Sequence, residues 1–244
     1  LGTETRAERS GNGFKITGSK VMVLDAHVAD AHIVVARTGG EPGDREGLSL
    51  FLVEKTAENL SVECTIMVDS HNAGRVELNG VEVTAEAMLG AEGEGAEVLE
   101  KVLGAGRAVL SAELLGAGSQ AFEDTVAYIK ERKQFGKIIG EFQALQHRAS
   151  HLYSELELCR SAVLAALSAQ DDGDKNAAKM AGMAKIKLGQ VAKLAALEGI
   201  QMHGGVGMTD EYDIGLFLKR IRVLQELLGD GNYHLDDFAK ASGY

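Results

Sequence analysis

An α+β fold is expected of this 244-residue chain: an antiparallel β-barrel or sandwich over residues 1–90, incomplete at its N-terminus, followed by an antiparallel four-helix bundle over residues 91–244. Three observations predict it. Up to about Val83 the chain consists of short apolar runs separated by turn residues, with no helical stretch between them, which is the pattern of antiparallel strands. At Gly90 the composition changes, and Ala91-Glu92-Gly93-Glu94-Gly95 forms a glycine-rich acidic linker. Beyond it apolar residues recur at steps of three and four, the helical period.

In chain order, residues 13–18 and 20–24 read as the two arms of a hairpin. Strands follow over residues 31–38, 47–54, 60–67 and 74–79, with turn chemistry at Gly39-Gly40, Pro42-Gly43 and Asn79-Gly80. The first helix spans about 96–132 and the second about 141–169. In the second, Phe142, Leu145, Ala149, Leu152, Leu156, Cys159, Val163 and Ala166 alternate steps of three and four, the seam of a left-handed bundle. Asp171-Asp172-Gly173-Asp174 supplies the next turn and N-cap. The third helix carries Met180, Ala184, Leu188, Val191 and Ala195 on one face and ends near His203-Gly204-Gly205. A fourth begins after Asp210-Glu211 and reaches about Leu228. Gly104-Ala105-Gly106 and Gly116-Ala117-Gly118 lie inside a helical pattern and follow no strand. They read as points of close helix packing rather than as a dinucleotide fingerprint.

Charge and cysteine usage exclude several classes. A net charge of -11 with no basic stripe argues against nucleic acid or an anionic membrane as partner. No run of about 18 apolar residues is present to span a bilayer. Cys64 and Cys159 lack metal or disulfide-framework spacing and read as buried small apolar residues of a reducing, cytoplasmic compartment. His147 and His151 stand four apart, but no Glu-x-x-His accompanies them, so no metal site is expected.

Two stretches remain. Arg132-Lys133-Gln134-Phe135-Gly136 leaves an arginine, an amide and an aromatic ring at the turn between the first two helices. It reads either as a helix end whose arginine suits the dipole, or as a grip for a phosphate and an aromatic ring system. Gln201-Met202-His203-Gly204-Gly205-Val206-Gly207 carries three glycines in four positions, either a tight connection or a backbone bare enough for a ligand to approach.

Taken together, these blocks resemble the acyl-CoA dehydrogenase family over essentially the whole chain. Gly18-Ser19-Lys20, Ala29-Asp30 with Ile33-Val34-Val35-Ala36-Arg37, and Val81-Glu82-Val83 leading through Leu89-Gly90 to Gly95 are similar to its middle domain. Gly106-Arg107 leading to Gly116, Tyr128 to Gly136, Phe142-Gln143 with Gln146, and Gln201 to Gly207 are similar to its C-terminal domain in order and spacing. The resemblance implies an FAD enzyme that dehydrogenates an acyl-CoA across Cα–Cβ, a carboxylate taking the α proton while the β hydrogen leaves as hydride to flavin N5. It implies that Arg132, Gln134 and Phe135 contact the diphosphate and adenine of a neighbouring subunit's FAD, and that Gln201, Gly204 and Gly205 lie against the adenosine-diphosphate part across a dimer interface. A dimer of dimers, an acyl-CoA substrate and an electron-transfer flavoprotein as acceptor follow from the same resemblance.

The sequence departs from the family pattern at the base. The usual glutamate position is Leu228, and the alternative position before the arginine of the first helix is Gly106; the nearest carboxylates are Glu226 and Asp230, each a poor substitute. Met22 and Leu24 stand where the family often has an aromatic residue and a threonine near the flavin, and the family's N-terminal helical domain is not in this sequence. The run from Gly204 to Asp230 is similar to a bacterial branch of paired unlike subunits, which includes pimeloyl-type and steroid side-chain dehydrogenases. Hence a second expectation stands beside the first: a subunit that binds flavin but is not catalytic.

Overall fold

The computed structural model describes residues 2–243, and its chain divides into two compact units, 1–101 and 102–244. In the first, seven strands form one sheet: β1 (Arg6–Ser10), β2 (Gly13–Leu24), β3 (Ala31–Arg37), β4 (Leu48–Glu54), β5 (Leu60–Ile66), β6 (Asn72–Thr84) and β7 (Met88–Leu89). Their order is β5-β6-β2-β1-β3-β4-β7. Pairing is antiparallel except between β1 and β3, which meet in parallel at Arg6 and Arg37, so the expected antiparallel pattern is interrupted once. Alternation places Phe14, Ile16, Val34, Ala36, Phe51, Val53, Val76, Leu78 and Val81 in a common core, with the rings of Phe14 and Phe51 5.1 Å apart.

Four sequence expectations are corrected here. Residues 13–24 are one strand, not a hairpin, because both halves pair with the same neighbour, from Gly13↔Thr84 to Leu24↔Ala73. Gly18 serves close approach rather than a turn: a Cβ there would lie 2.7 Å from Thr5 Oγ1. Asn79-Gly80 is likewise no turn. Thr17 pairs with Asn79 and Ile16 with Val81, so Gly80, at φ +78°, is the extra residue of a bulge inside β6. Cys64 is exposed on β5 rather than buried, whereas Cys159 is buried.

The acidic linker is tied to the sheet. Gly47 N donates to Gly93 O at 3.0 Å, Gly93 N donates to Ser49 Oγ at 2.8 Å, and Glu94 bridges Leu48. Helix α1 (Gly95–Glu131) starts directly after it. It is followed by a two-stranded ribbon, β8 (Lys133–Gln134) with β9 (Lys137–Ile138), that the sequence reading missed. Next come α2 (Gln143–Asp171), α3 (Ala177–His203), α4 (Ile214–Glu226) and α5 (Gly231–Ala241). The last was not expected.

One core joins four of these helices: Leu114 and Leu115 of α1, Leu152, Leu156, Cys159 and Val163 of α2, Leu188, Val191, Ala192, Ala195 and Ala196 of α3, and Ile221 and Leu224 of α4. The seam expected on α2 is buried from Leu152 onward, while Phe142, Leu145 and Ala149 are only half-buried. Gly118 lets α1 approach α3, since a Cβ there would lie 3.0 Å from Ala192 Cα; Gly116 meets nothing. The N-cap position of α3 is Asn176, not Asp174, whose carboxylate accepts from Asn176 N at 2.7 Å. Helix α4 stops at Glu226, two residues short of the expected Leu228, which has φ +57°.

Candidate functional site

At the end of α1 the backbone turns through the ribbon, and Ile139 N returns to Arg132 O at 2.9 Å. The two central residues of the ribbon, Phe135 and Gly136, both have positive φ, +55° and +82°, as a type I′ turn requires. Glycine adopts this freely, whereas a phenylalanine there costs roughly 1–2 kcal/mol. Phe135 is nonetheless 90% exposed, with the Phe142 ring set edge-on to it at 6.2 Å. Backbone strain combined with an exposed aromatic ring is the signature of a residue kept for contact with something outside its own core.

Arg132, Gln134, Phe135, Gln201, Gly204 and Gly205 all line one cleft of about 610 Å³. Phe142, Leu145, Arg148 and Tyr128 complete its walls. Its chemistry is uneven in a useful way. Arg148 is ion-paired with Glu198, but the Arg132 guanidinium has no ion-pair partner among the described residues. Gly204, at φ +67°, and Gly205 end α3 with open space where a Cβ would stand. A free guanidinium, an amide, two phenyl rings and a bare backbone suit a ligand that combines an anionic group with an aromatic one. That is the donor set a flavin dinucleotide needs, so the residues present fit such a cofactor.

The wall behind this cleft is a stack of rings. His203 is 5% exposed and lies against Tyr128, with centroids 4.2 Å apart and planes at 24°. Its Nδ1 sits 2.7 Å from Gly199 O. A carbonyl can only accept, so Nδ1 carries the proton and Nε2 of the neutral ring is an acceptor. Sequence reading gave His203 no role; only the packing of α3 against α1 shows it.

The base positions lie elsewhere, around the α4–α5 turn. Leu228 and Gly106, the two positions at which the family resemblance would place a glutamate, touch: a Cβ on Gly106 would be 2.7 Å from Leu228 Cδ1. Arg107 Nε donates to Leu228 O at 3.0 Å and its guanidinium lies over the Tyr233 ring. Both weak candidates are engaged. Glu226 pairs with Arg222 at 2.8 Å, and Asp230 Oδ1 accepts from Tyr233 N at 2.8 Å as the N-cap of α5. Beneath the turn, Lys185 donates to Gln225 O and Gly229 O, each at 3.1 Å, and burial lowers its pKa to about 8. His234 is buried beside it with Nε2 unpartnered; burial, then the charges of Arg107 and Lys185, push its pKa down. In the first unit, Met22 and Leu24 are both exposed on β2, with Met22 at φ +54°. A cleft of about 760 Å³ also opens there, along Thr5, Lys15, Thr17 and Glu77, and holds none of the expected site residues.

Comparison with known proteins gives consistent matches. Residues 93–243 match the family model described as acyl-CoA dehydrogenase, C-terminal domain, and residues 1–81 the one described as acyl-CoA dehydrogenase, middle domain. The short/branched chain specific acyl-CoA dehydrogenase, mitochondrial, of Rattus norvegicus is 32% identical over 240 residues, covering 97% of this chain and 55% of that protein. The butyryl-CoA dehydrogenase structure from Megasphaera elsdenii superposes with a TM-score of 0.93 at 26% identity, covering 99% of this chain and 63% of that one. A structure described as PigA with FAD and proline superposes with a TM-score of 0.93 at 27% identity, covering 99% and 63%. The chain thus spans a little over half the length of the curated relative and under two thirds of each solved chain.

Proposed function

The chain belongs to the acyl-CoA dehydrogenase family, and from that premise we propose that it holds FAD and takes part in the α,β-dehydrogenation of an acyl-CoA thioester to the enoyl-CoA. The observation that carries this reading is the common cleft of Arg132, Gln134, Phe135, Gln201, Gly204 and Gly205. Arg132 binds the diphosphate as an uncompensated cation, Gln134 and Gln201 donate and accept beside it, Phe135 offers a ring face, and Gly204 and Gly205 let backbone N–H groups approach without side-chain obstruction. FAD, when bound, supplies the hydride acceptor for the substrate's β hydrogen. In this reading the sheet folds over into a barrel-like sandwich over residues 1–90, the helices form an antiparallel four-helix bundle over 91–244, and the subunits associate as a dimer of dimers with the cofactor between them. Electrons leave through an electron-transfer flavoprotein, in the cytoplasm, during fatty acid or steroid side-chain degradation.

A specific observation favours a second reading, a flavin-holding but non-catalytic subunit of a heteromeric enzyme. Leu228 and Gly106 pack on each other, Glu226 is paired with Arg222, and Asp230 caps a helix, so both candidate carboxylates, Glu226 and Asp230, are committed to other contacts. The test is anaerobic mixing of the chain, alone and with candidate partner subunits, with a panel of acyl-CoAs while the visible flavin absorbance is followed. Bleaching by the chain alone supports the catalytic reading. Asp230→Asn, which keeps the cap, then tells whether Asp230 is the base. Bleaching only after a partner is added supports the second reading. An Arg132→Ala variant should lose bound flavin in either case; yellow Arg132→Ala protein would remove the cleft from the account.

A further inference from the structure

We propose that a second cleft, on the other side of the Tyr128–His203 stack, is a binding site for an organic cation that carries N–H donors, a guanidinium or a primary ammonium. The cleft measures about 430 Å³ and lies between the end of α1 and the segment that leads into α4. Its floor is aromatic. Tyr128 and His203 are stacked, and Tyr212 meets both edge-on at centroid distances of 5.5 and 5.2 Å. Aromatic faces grouped in this way attract cations through their negative quadrupoles.

The rim carries only one sign of charge. Asp124, Glu131, Glu211 and Asp213 line it, and no Lys or Arg does. None of the four carboxylates is in an ion pair among the described residues, and Asp124 alone has a side-chain partner, Gln120. Asp213 stands at the N-cap position of α4 yet its carboxylate makes no capping bond. The buried member of the box points the same way. His203 Nδ1 bonds Gly199 O, and Nε2, an acceptor in that tautomer, has no hydrogen-bond partner among the described residues, on a ring that lines the cleft. Acceptors and π faces thus line one cleft, and a group bearing both positive charge and N–H donors complements all of them.

A metal ion is a poorer occupant. Among the described residues no group of three His, Cys, Asp or Glu is close enough to hold one, and aromatic rings contribute nothing to metal ligation. A quaternary ammonium would use the rings but leave the Nε2 acceptor unsatisfied, so it should bind more weakly than a guanidinium.

The test uses the whole chain, with His and Tyr ring carbons labelled for NMR. Agmatine represents a free small cation, N-acetyl-arginine methylamide a side chain presented by a protein, N-acetyl-citrulline methylamide the neutral isostere, and choline the cation without N–H donors. The expected result is that the guanidinium probes shift the His203, Tyr128 and Tyr212 signals at millimolar concentration. The neutral isostere should not, and choline should bind about tenfold more weakly, the scale of one desolvated polar contact. Agmatine alone binding identifies a small-molecule source; equal binding of the arginine derivative identifies a protein side chain. Glu131→Gln with Asp213→Asn should weaken binding at least tenfold with an unchanged thermal midpoint; should that variant not fold, His203→Phe serves instead, abolishing the preference over choline. Shifts produced equally by the citrulline derivative, or the absence of any shift with agmatine and the arginine derivative alike, overturn the proposal.

Discussion

Leu228 combines two unfavourable circumstances: a left-handed backbone at φ +57° and a side chain held against the bare Cα of Gly106. The left-handed conformation costs roughly 1–2 kcal/mol for a residue with a Cβ. Arg107 Nε on the Leu228 carbonyl offsets part of that. The contact makes the two positions interdependent. Gly106→Ala on its own gains helix propensity, up to about 1 kcal/mol, but drives a methyl into Leu228; in a Leu228→Ala background the same change meets no obstacle. A double-mutant cycle by urea unfolding should therefore show a coupling of at least about 0.5 kcal/mol. Additive effects would mean that Leu228 swings away at no cost. This coupling could not be read from sequence, where the two residues stand far apart and neither carries a functional group.

The same limit holds at the level of elements. Phase and period gave the four long helices, since Leu152, Leu156, Cys159 and Val163 declare a buried face by spacing alone. What spacing cannot convey is which partner a glycine meets. Gly80 looks like a turn after Asn79 and is a bulge, because β2 continues past it on the neighbouring strand. Helix α5 was missed because its only strong sequence signal is the Asp230 cap, and its buried residue, His234, is polar. Family resemblance named six residues, and the structure brings them to one cleft, whereas the ring cluster of Tyr128, His203 and Tyr212 joins residues far apart in the chain, Tyr128 on α1 with His203 at the end of α3 and Tyr212 beyond it.

Helix α5 also carries a pH dependence. Burial, then the neighbouring Arg107 and Lys185 charges, hold the His234 pKa below its ordinary 6.5. As pH falls below 6.5 the unfolded chain takes up a proton that the folded chain refuses, so this contribution to stability is present above 6.5 and lost as pH falls through the folded value. Lys185 acts in the same sense in a higher window. Its contribution is present above 10.5 and lost as pH falls through about 8. Thermal midpoints of His234→Leu measured from pH 7.5 to 5 should show a shallower acid slope than the parent chain. An unchanged slope would place the acid sensitivity elsewhere.

On the scale of the whole molecule, the buried strand residues and the buried helix residues pack in separate clusters, within units 1–101 and 102–244 respectively. Damage to one core should remain local. Leu78→Ala removes a fully buried side chain from the sheet and should cost about 2–5 kcal/mol there. Hydrogen exchange should then speed up across β2 and β6 while α2 and α3 keep their protection. Equal loss of protection in both units would show that they unfold as one.

The contrast between the two cysteines has a practical side. Cys64 lies open on strand β5, while Cys159 is enclosed among the helices with its thiol pushed up to about 11. Only the thiolate reacts, so a maleimide dye should attach once per chain, on the sheet, and leave the helices unmarked. In air the same sulfur is where two chains would become covalently joined. A dimer band on a non-reducing gel that vanishes in Cys64→Ser would therefore report on storage of the sample, not on its native assembly.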